Sequence, residues 1–316
     1  MGIGGEVLYS MQLLIKKIAT LNGHIGSAYA LDKGISENTI FSGSSDKFVA
    51  LWNLKTLEAE KFAASFPSPV YSLCHIPEKK LLLVGTSAGS IHILDLVKKE
   101  ELKILQHHTA AIFDIKYSLQ TNYFYTAGGD GNFAICSLDT LSLIKIKKLC
   151  EAKVRSIDMN YIASEIAVAS GDCNIHVFDL ITLEQKNSFT AHQFSANVVK
   201  YSPDGKTLLT GGKDAHLNKW KMENGKWKME KSIPAHNFAI YDIVYSPNSA
   251  LFATASRDKT IKIWDSKTFE LLARINKENF EGHTNSVNKL YWSTYNNYLI
   301  STGDDRSVMV WEVEKE

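Results

Sequence analysis

The chain has 316 residues, of which 45% are hydrophobic and 22% charged, and its formal net charge is +1. These proportions are typical of globular proteins and exclude a disordered chain, while 19 Gly and 6 Pro exclude a collagen-like or low-complexity sequence. A nearly neutral charge also argues against a protein dedicated to nucleic acids or membrane surfaces, although it leaves room for a local basic patch.

The cysteines point to a reducing compartment. Cys74, Cys136, Cys150 and Cys173 are separated by 62, 14 and 23 residues, which matches neither a CxxC pair nor a zinc-binding pattern. Free thiols are typical of a reducing compartment. Apolar runs are too short to span a membrane, and no secretory signal is recognisable at the N-terminus. We therefore predict a cytoplasmic protein that binds no membrane, with a nuclear location left open.

An acidic residue recurs along the chain at nearly constant intervals. From Asp46 onward the intervals are 42 residues four times in succession, then 44 and 47. Six of the seven positions hold aspartate: Asp46, Asp130, Asp172, Asp214, Asp258 and Asp305. The interval between the first two is twice 42 residues, which places a degenerate copy at Ala88. A period of about 40 residues indicates a repeat architecture. We therefore predict seven copies of one structural unit.

Three further residue types recur in register with the acidic residue. A histidine precedes it by 22 residues, a serine or threonine precedes it by four, and a tryptophan follows it by six. All four residue types are present in four copies, which are His24, Ser42, Asp46 and Trp52; His192, Thr210, Asp214 and Trp220; His236, Thr254, Asp258 and Trp264; and His283, Ser301, Asp305 and Trp311. Copy three has Cys136 in place of the tryptophan, and copies two and four are mainly apolar in these columns.

This pattern resembles the WD-repeat β-propeller family, and Trp264-Asp265 is the full WD dipeptide. The resemblance covers residues 12–316 and implies a single all-β domain, a seven-bladed β-propeller of four-stranded antiparallel blades. Short strand-like segments separated by turn residues, such as 240–245, 251–255 and 260–264, favour the same fold independently. Residues 1–11 are expected to form a poorly ordered leader.

The last repeat lacks a fourth strand, because the chain ends soon after the strand-like segment 308–313. The N-terminal segment 12–19 directly precedes Gly23-His24, just as 271–275 precedes a later histidine. We predict that this N-terminal strand completes the seventh blade. Closure of the ring would remove open sheet edges, which invite aggregation.

The recurring His, hydroxyl and Asp residues allow two interpretations. They are the components of a nucleophilic triad, but an enzyme does not need four scattered copies. The resemblance implies instead a structural hydrogen-bond network within each blade, in which the hydroxyl is linked to the tryptophan indole. The remaining histidines, His75, His92, His107, His176 and His216, fall in different blades or columns. We therefore expect no metal, no cofactor and no enzymatic activity.

The resemblance places binding at the narrow face of the propeller, where the loops before the first strand and between the second and third strands converge. Tyr29, Tyr71 and Phe113 are expected to form an aromatic arc there. A basic arc opposite it, with one further tyrosine, comprises Lys153, Arg155, Lys213, Tyr241 and Arg257. Asp304 is the one acidic residue in the same columns. The alternative is that the cations are solvated turn residues and the aromatic rings pack between blades.

We predict a protein-interaction scaffold that is monomeric by itself and binds a peptide or protein loop at the narrow face. An acidic or phosphorylated residue beside an apolar one would suit both arcs, since aromatic residues and Arg are common binding anchors. One alternative is an enzyme that uses the central channel as a pocket, which would need clustered carboxylates or histidines at its mouth. A second is contact of the basic arc with nucleic acid.

Overall fold

The computed structural model describes residues 13–315 and contains seven four-stranded antiparallel sheets. The first strands of neighbouring sheets contact one another in a closed ring, so they surround the centre of the molecule. This arrangement is a seven-bladed β-propeller and confirms the predicted fold.

The strands follow the repeat. The first strand is β1 (Leu13–Leu21). Blade one consists of β2 (Ala28–Lys33), β3 (Thr39–Ser44), β4 (Phe48–Asn53) and β5 (Glu58–Ser65). Blade two consists of β6 (Val70–Ile76), β7 (Leu81–Thr86), β8 (Ser90–Asp95) and β9 (Glu100–Gln106). Blade three consists of β10 (Ile112–Ser118), β11 (Tyr123–Gly128), β12 (Asn132–Ser137) and β13 (Ser142–Lys148). Blade four consists of β14 (Val154–Asn160), β15 (Glu165–Ser170), β16 (Asn174–Asp179) and β17 (Gln185–Thr190).

The remaining blades continue in the same order. Blade five consists of β18 (Ala196–Tyr201), β19 (Thr207–Gly212), β20 (His216–Glu223) and β21 (Lys226–Pro234). Blade six consists of β22 (Ile240–Tyr245), β23 (Leu251–Ser256), β24 (Ile261–Asp265) and β25 (Leu271–Ile275). A short helix α1 (Lys277–Phe280) leads to blade seven, whose strands are β26 (Val287–Trp292), β27 (Tyr298–Gly303) and β28 (Val308–Lys315). A 3-10 turn (Tyr295–Asn297) lies between β26 and β27.

The N-terminal strand closes the ring, as predicted. β1 pairs antiparallel with β28, from Leu13 opposite Lys315 to Leu21 opposite Val308, and is the fourth strand of blade seven. Two polar contacts fasten this blade further: Lys17 Nζ donates to the Glu281 carbonyl, and Lys315 Nζ donates to Asp265, each at 2.8 Å. The predicted leader, residues 1–11, lies outside the described residues.

Each junction between neighbouring blades contains a hydrophobic cluster and a side-chain hydrogen bond to the next blade's backbone. The seven clusters each combine residues of two adjacent blades. The hydrogen bonds measure 2.6–3.1 Å between donor and acceptor. They join Asp32 to His75 N, Ser72 to Ile112 O, Asp114 to Ile157 N, Asp158 to Tyr201 N, Asn197 to Ile240 O, Asp242 to Leu290 N, and Asn288 to Ala28 O.

The four complete His, hydroxyl, Asp and Trp sets are each joined by hydrogen bonds. The His Nδ1 lies 2.8–3.0 Å from the Asp carboxylate, and Nε2 lies 2.7–2.9 Å from the hydroxyl oxygen. These pairs are His24 with Asp46 and Ser42, His192 with Asp214 and Thr210, His236 with Asp258 and Thr254, and His283 with Asp305 and Ser301.

The tryptophans complete these networks. Each indole N–H donates to the hydroxyl of its own blade at 2.7–3.0 Å, and the four donors are Trp52, Trp220, Trp264 and Trp311. All four indole side chains are buried: Trp311 is 0% exposed and Trp220 is 4% exposed. The accepting hydroxyls of Ser42, Thr210, Thr254 and Ser301 belong to residues that are 0% exposed, so no substrate could reach them. We infer a structural role for all four sets.

Blade three compensates for its missing tryptophan. His107 Nε2 lies 3.3 Å from Thr126 Oγ1 and 4.0 Å from Cys136 Sγ, so this ring contacts the hydroxyl that an indole contacts elsewhere. Burial and the neighbouring His108 lower the pKa of His107 to about 4, which keeps its ring neutral. The corresponding residue is Gly or Ala in the tryptophan blades. At Gly23, an added Cβ would lie 2.9 Å from the Trp52 ring. A blade with the tryptophan therefore has no room for a large side chain at the position that His107 occupies in blade three.

Blades two and four lack the shared network, as the sequence predicts, but they are not wholly apolar inside. A histidine on the third strand provides a different polar link in each. His92 Nε2 lies 3.0 Å from Ser90 Oγ and its Nδ1 lies 2.5 Å from Glu101. His176 Nδ1 lies 3.4 Å from Ser188 Oγ, whereas its Nε2, 3.8 Å from Asp172, makes no hydrogen bond with a described residue. Within residues 13–315, no group of three or more His, Cys, Asp or Glu residues could hold a metal ion.

Removal of residues 1–21 should expose an unpaired edge on β28, because this deletion takes away all of β1. We expect aggregation or a markedly lower melting temperature. Size-exclusion chromatography and thermal unfolding would measure this, with deletion of residues 1–11 alone as the control that keeps β1 intact. A monomeric chain without residues 1–21 that melts like the full chain would contradict closure by β1.

A double substitution tests the compensation in blade three. Cys136→Trp alone should destabilise the protein because His107 occupies the space near Thr126, and His107→Ala alone should leave a gap there. Together they recreate the residue pair of blades five and six. We expect the double variant to be more stable than the sum of the single changes by about 0.5–3 kcal/mol in denaturant unfolding. Additive effects would show that the two positions are independent.

Candidate functional site

A ring of seven β-bulges surrounds one mouth of the channel. In every blade, the pairing of the first and second strands shifts by one residue near the start of the first strand. The extra residues are Tyr29, Tyr71, Phe113, Arg155, Asn197, Tyr241 and Asn288. A bulge re-aims the side chain of its extra residue. One side chain per blade is thus set apart from the regular sheet.

The turns between the second and third strands lie at the same mouth. In all seven blades the backbone N–H before the acidic position donates to a carbonyl just before the first strand, at 2.7–2.9 Å. The donors are Ser45, Ser87, Gly129, Gly171, Lys213, Arg257 and Asp304. The two loop regions that the family resemblance assigns to the binding face are therefore bonded to each other in every blade. This end of the propeller is the face called narrow above.

The nine predicted partner-binding residues line two adjoining cavities on the narrow face. The first cavity, about 500 Å³, is bordered by Tyr29, Tyr71, Phe113, Lys153, Arg155, Tyr241 and Asp304. The second, about 470 Å³, is bordered by Lys153, Arg155, Lys213, Tyr241 and Arg257. Lys153, Arg155 and Tyr241 border both cavities. The structure therefore brings all nine residues to one continuous surface.

The aromatic and basic arcs meet instead of lying opposite each other. Tyr29 and Tyr71 stack with ring centroids 4.6 Å apart, and Tyr71 contacts Phe113 edge-on at 5.7 Å. The Phe113 ring in turn lies 4.9 Å from the Arg155 guanidinium carbon and 5.6 Å from Lys153 Nζ. The expectation of opposed arcs is wrong at this point because blades three and four are neighbours. Phe113 is thus the residue at which the two arcs meet.

Four basic side chains on this face have no anionic partner. Lys153, Arg155, Lys213 and Arg257 form no ion pair with any residue between 13 and 315. Burial lowers the pKa of Arg155 from its usual value, although Tyr241 and Tyr71 oppose this. Asp304, the predicted acidic residue, accepts a hydrogen bond of 2.9 Å from Asn288 Nδ2. The electrostatic character of the second cavity is therefore positive.

Two exposed phenylalanines next to the basic residues were missed by the sequence reasoning. Phe194 and Phe238 are each 57% exposed and lie two residues after the network histidines of blades five and six. The Phe238 ring centroid lies 5.9 Å from the Arg257 guanidinium carbon. The signal was available, because the same column holds only Gly, Ser, Ala or Asn in the other blades. An exposed aromatic residue in two adjacent loops extends the apolar surface beside the cations.

Comparison with known proteins places the repeat among established families. A family model described as "WD domain, G-beta repeat" matches residues 15–53, 99–136, 183–221, 227–265 and 275–312, together more than half of the chain. These matches cover the first three strands of blades one, three, five, six and seven. The first three strands of blades two and four, the blades without the shared network, are not matched. No helix in the described part of the chain is long and apolar enough to cross a membrane.

Several curated proteins are similar to parts of the chain. Eukaryotic translation initiation factor 3 subunit I of Emericella nidulans is 27% identical over 204 residues, which cover 63% of this chain and 51% of that protein. Its namesake from Anopheles gambiae is 21% identical over 64% of this chain and 83% of that protein. Transcription factor unc-37 of Caenorhabditis elegans is 27% identical over 54% of this chain and 27% of that protein.

The aligned region thus spans about half of the fungal relative and about a quarter of the transcription factor. What these relatives share with the chain is the repeat, in proteins of differing length. The matched repeats, their register and the seven-bladed fold agree with one another. This chain belongs to the WD domain, G-beta repeat family.

Proposed function

We propose that the protein is a non-enzymatic interaction scaffold that binds a peptide or loop of another protein at the narrow face. The observation that supports this most is that five bulge residues, three turn residues and Lys153, including four cations without an ion-pair partner, converge on two adjoining cavities. Aromatic and Arg side chains are the usual anchors of protein interfaces. An acidic or phosphorylated peptide with an apolar neighbour would contact both the cations and the aromatic rings.

The relatives support an interaction role. One group of relatives is named as a subunit of a translation initiation factor, and another relative is named as a transcription factor. A protein that works as a subunit or regulator must present a stable surface to its partners. A cytoplasmic location fits the relatives named for translation initiation, and the transcription factor leaves the nucleus open. We propose that the protein by itself is monomeric.

The chemistry of the face favours binding over catalysis. The described residues that border the two cavities include no histidine. The acids at the first cavity are already engaged: Asp304 with Asn288, and Asp242 with Leu290 N and Lys289 Nζ. General acid–base catalysis needs a titrating group within reach of a substrate proton. Positioned donors, cations and rings suit recognition instead.

A pair of charge reversals in blade five tests the location of the site. Lys213 follows β19 and Lys206 precedes it, so they lie at opposite ends of one strand, and both are exposed. We expect Lys213→Glu combined with Arg257→Glu to abolish partner binding without changing the melting temperature. Lys206→Glu should leave both unchanged. Retention of cellular proteins on each immobilised variant, quantified by mass spectrometry, provides the measurement.

A third variant separates the apolar contribution from the electrostatic one. Tyr71→Ala should weaken retention of the same partners with little dependence on salt, whereas the cationic contribution should be screened as salt rises. Partners lost with Lys206→Glu but kept with the narrow-face variants would place the site on the opposite face and refute the proposal.

A further inference from the structure

Two groups of cations in and around the channel have different surroundings. Three channel lysines each lie beside a carboxylate: Lys116 at 3.3 Å from Asp114, Lys200 at 2.8 Å from Asp158, and Lys289 at 3.1 Å from Asp242. These carboxylates also accept backbone N–H groups of the next blade. Charges that hold the ring together are thus neutralised within the chain.

The four narrow-face cations are not neutralised. The acid that borders the second cavity, Glu151, is itself 3.1 Å from Lys148 Nζ. Unpaired like charges repel one another, so a cluster of them weakens the free protein slightly and strengthens binding of an anion. Their arrangement therefore indicates that the neutralising charge comes from outside the described chain.

Arg155 is the most specific member of this cluster. Its guanidinium lies against the Phe113 ring, with 4.9 Å between its Cζ atom and the ring centroid, which limits its orientation. Its Nε is buried and makes no hydrogen bond with another described residue. A buried donor without a partner is costly, so the protein's own groups leave this side chain incompletely satisfied. The two terminal nitrogens also make no hydrogen bond with another described residue, and they form a fork that matches two oxygens of one anion.

We infer that the bound segment carries a phosphorylated side chain, with its phosphate held by the Arg155 fork and by Lys153. The inference rests on the proposed binding role of the narrow face and adds the chemical class of the ligand. Lys213 and Arg257 border the same cavity. The exposed Phe238, whose ring lies beside Arg257, offers a contact for an apolar neighbouring residue.

Charge and space favour a phosphate over a carboxylate. A phosphorylated residue carries about −1.5 to −2 charges at pH 7 and three acceptor oxygens, whereas a carboxylate carries one charge. Four cations face the site, and the cavity of about 470 Å³ has room for a phosphorylated side chain. A phosphate therefore matches both the number of unpaired donors and the size of the cavity.

The distribution of the cations favours a peptide over nucleic acid. Proteins that bind single-stranded nucleic acid usually have a basic groove that runs along the backbone of several nucleotides. Here the four unpaired cations border one cavity at the channel mouth, and the net charge of the whole chain is only +1. One guanidinium fork at a single cavity suits one phosphate better than a string of them.

The test uses the full-length protein and three labelled probes at equal concentration. These are pools of short peptides with a fixed central phosphoserine, phosphothreonine or phosphotyrosine flanked by apolar residues, the same pools without phosphate, and a single-stranded RNA homopolymer. Fluorescence anisotropy measures binding at low and at high salt. We expect at least one phosphorylated pool to bind about tenfold or more tightly than its unphosphorylated counterpart.

Variants of Arg155 test the fork itself. Arg155→Gln should lower affinity for the phosphorylated pool by about tenfold to a hundredfold, and Arg155→Lys should fail to restore it because lysine lacks the fork. Lys153→Gln, an exposed change, gives an independent loss if Arg155 variants fold poorly. Lys206→Gln, at the opposite end of blade five, should change nothing.

The outcomes separate this inference from the proposed function. Equal affinity for phosphorylated and unphosphorylated pools, with both lost in the Lys213→Glu/Arg257→Glu variant, would refute the phosphate and preserve the binding face. Tighter binding of the RNA than of any phosphorylated pool would overturn the inference in favour of nucleic acid. The inference is also overturned if no phosphorylated pool binds the unmodified protein. In that case the proposed function is still tested separately, by whether the narrow-face variants retain cellular proteins.

Discussion

The junction between neighbouring blades is the interaction on which the whole structure depends. Each of the seven junctions combines a hydrophobic cluster shared by two blades with a side-chain hydrogen bond to the next blade's backbone. A four-stranded blade cannot bury both of its faces alone, so its stability comes from its neighbours. This requirement explains why the chain uses its first strand to complete its last blade: an unfinished seventh blade would weaken two junctions at once.

The same junctions explain where binding can occur. The first strands must pack tightly against their neighbours. A β-bulge in each of them changes the direction of a single side chain at the narrow mouth. Because the bulge leaves the rest of the pairing between the first and second strands regular, the seven bulge positions can vary among Tyr, Phe, Arg and Asn. Three lysines deeper in the channel are paired with carboxylates of the chain, as Lys289 is with Asp242. The cations of the narrow face have no such partner, so their charge is free for a ligand.

The fold and the closing strand were predictable from the sequence because repeat spacing is a one-dimensional property. The family resemblance, applied to this repeat, also pointed to five of the seven bulge residues that border the cavities. Three features were not predictable in this way. Phe194 and Phe238 stand out only when a column beside the family pattern is compared across blades. In blade three, His107 replaces a small residue and Cys136 replaces the tryptophan. The compensation depends on both positions together, so neither position shows it when it is compared alone across the blades. The junction hydrogen bonds depend on side-chain direction, which spacing does not specify.

The central claim is that charged groups in the channel stabilise the ring, whereas those of the narrow face do not. Denaturant unfolding of two variants tests it most directly. Asp242→Ala removes the acceptor of Leu290 N and Lys289 Nζ and should lower the free energy of unfolding by about 1–3 kcal/mol. Replacement of the exposed Lys153, Lys213 and Arg257 by Gln should change it by no more than about 0.5 kcal/mol per substitution. A triple variant that loses as much stability as Asp242→Ala would contradict the account, because the narrow-face cations would then serve the fold.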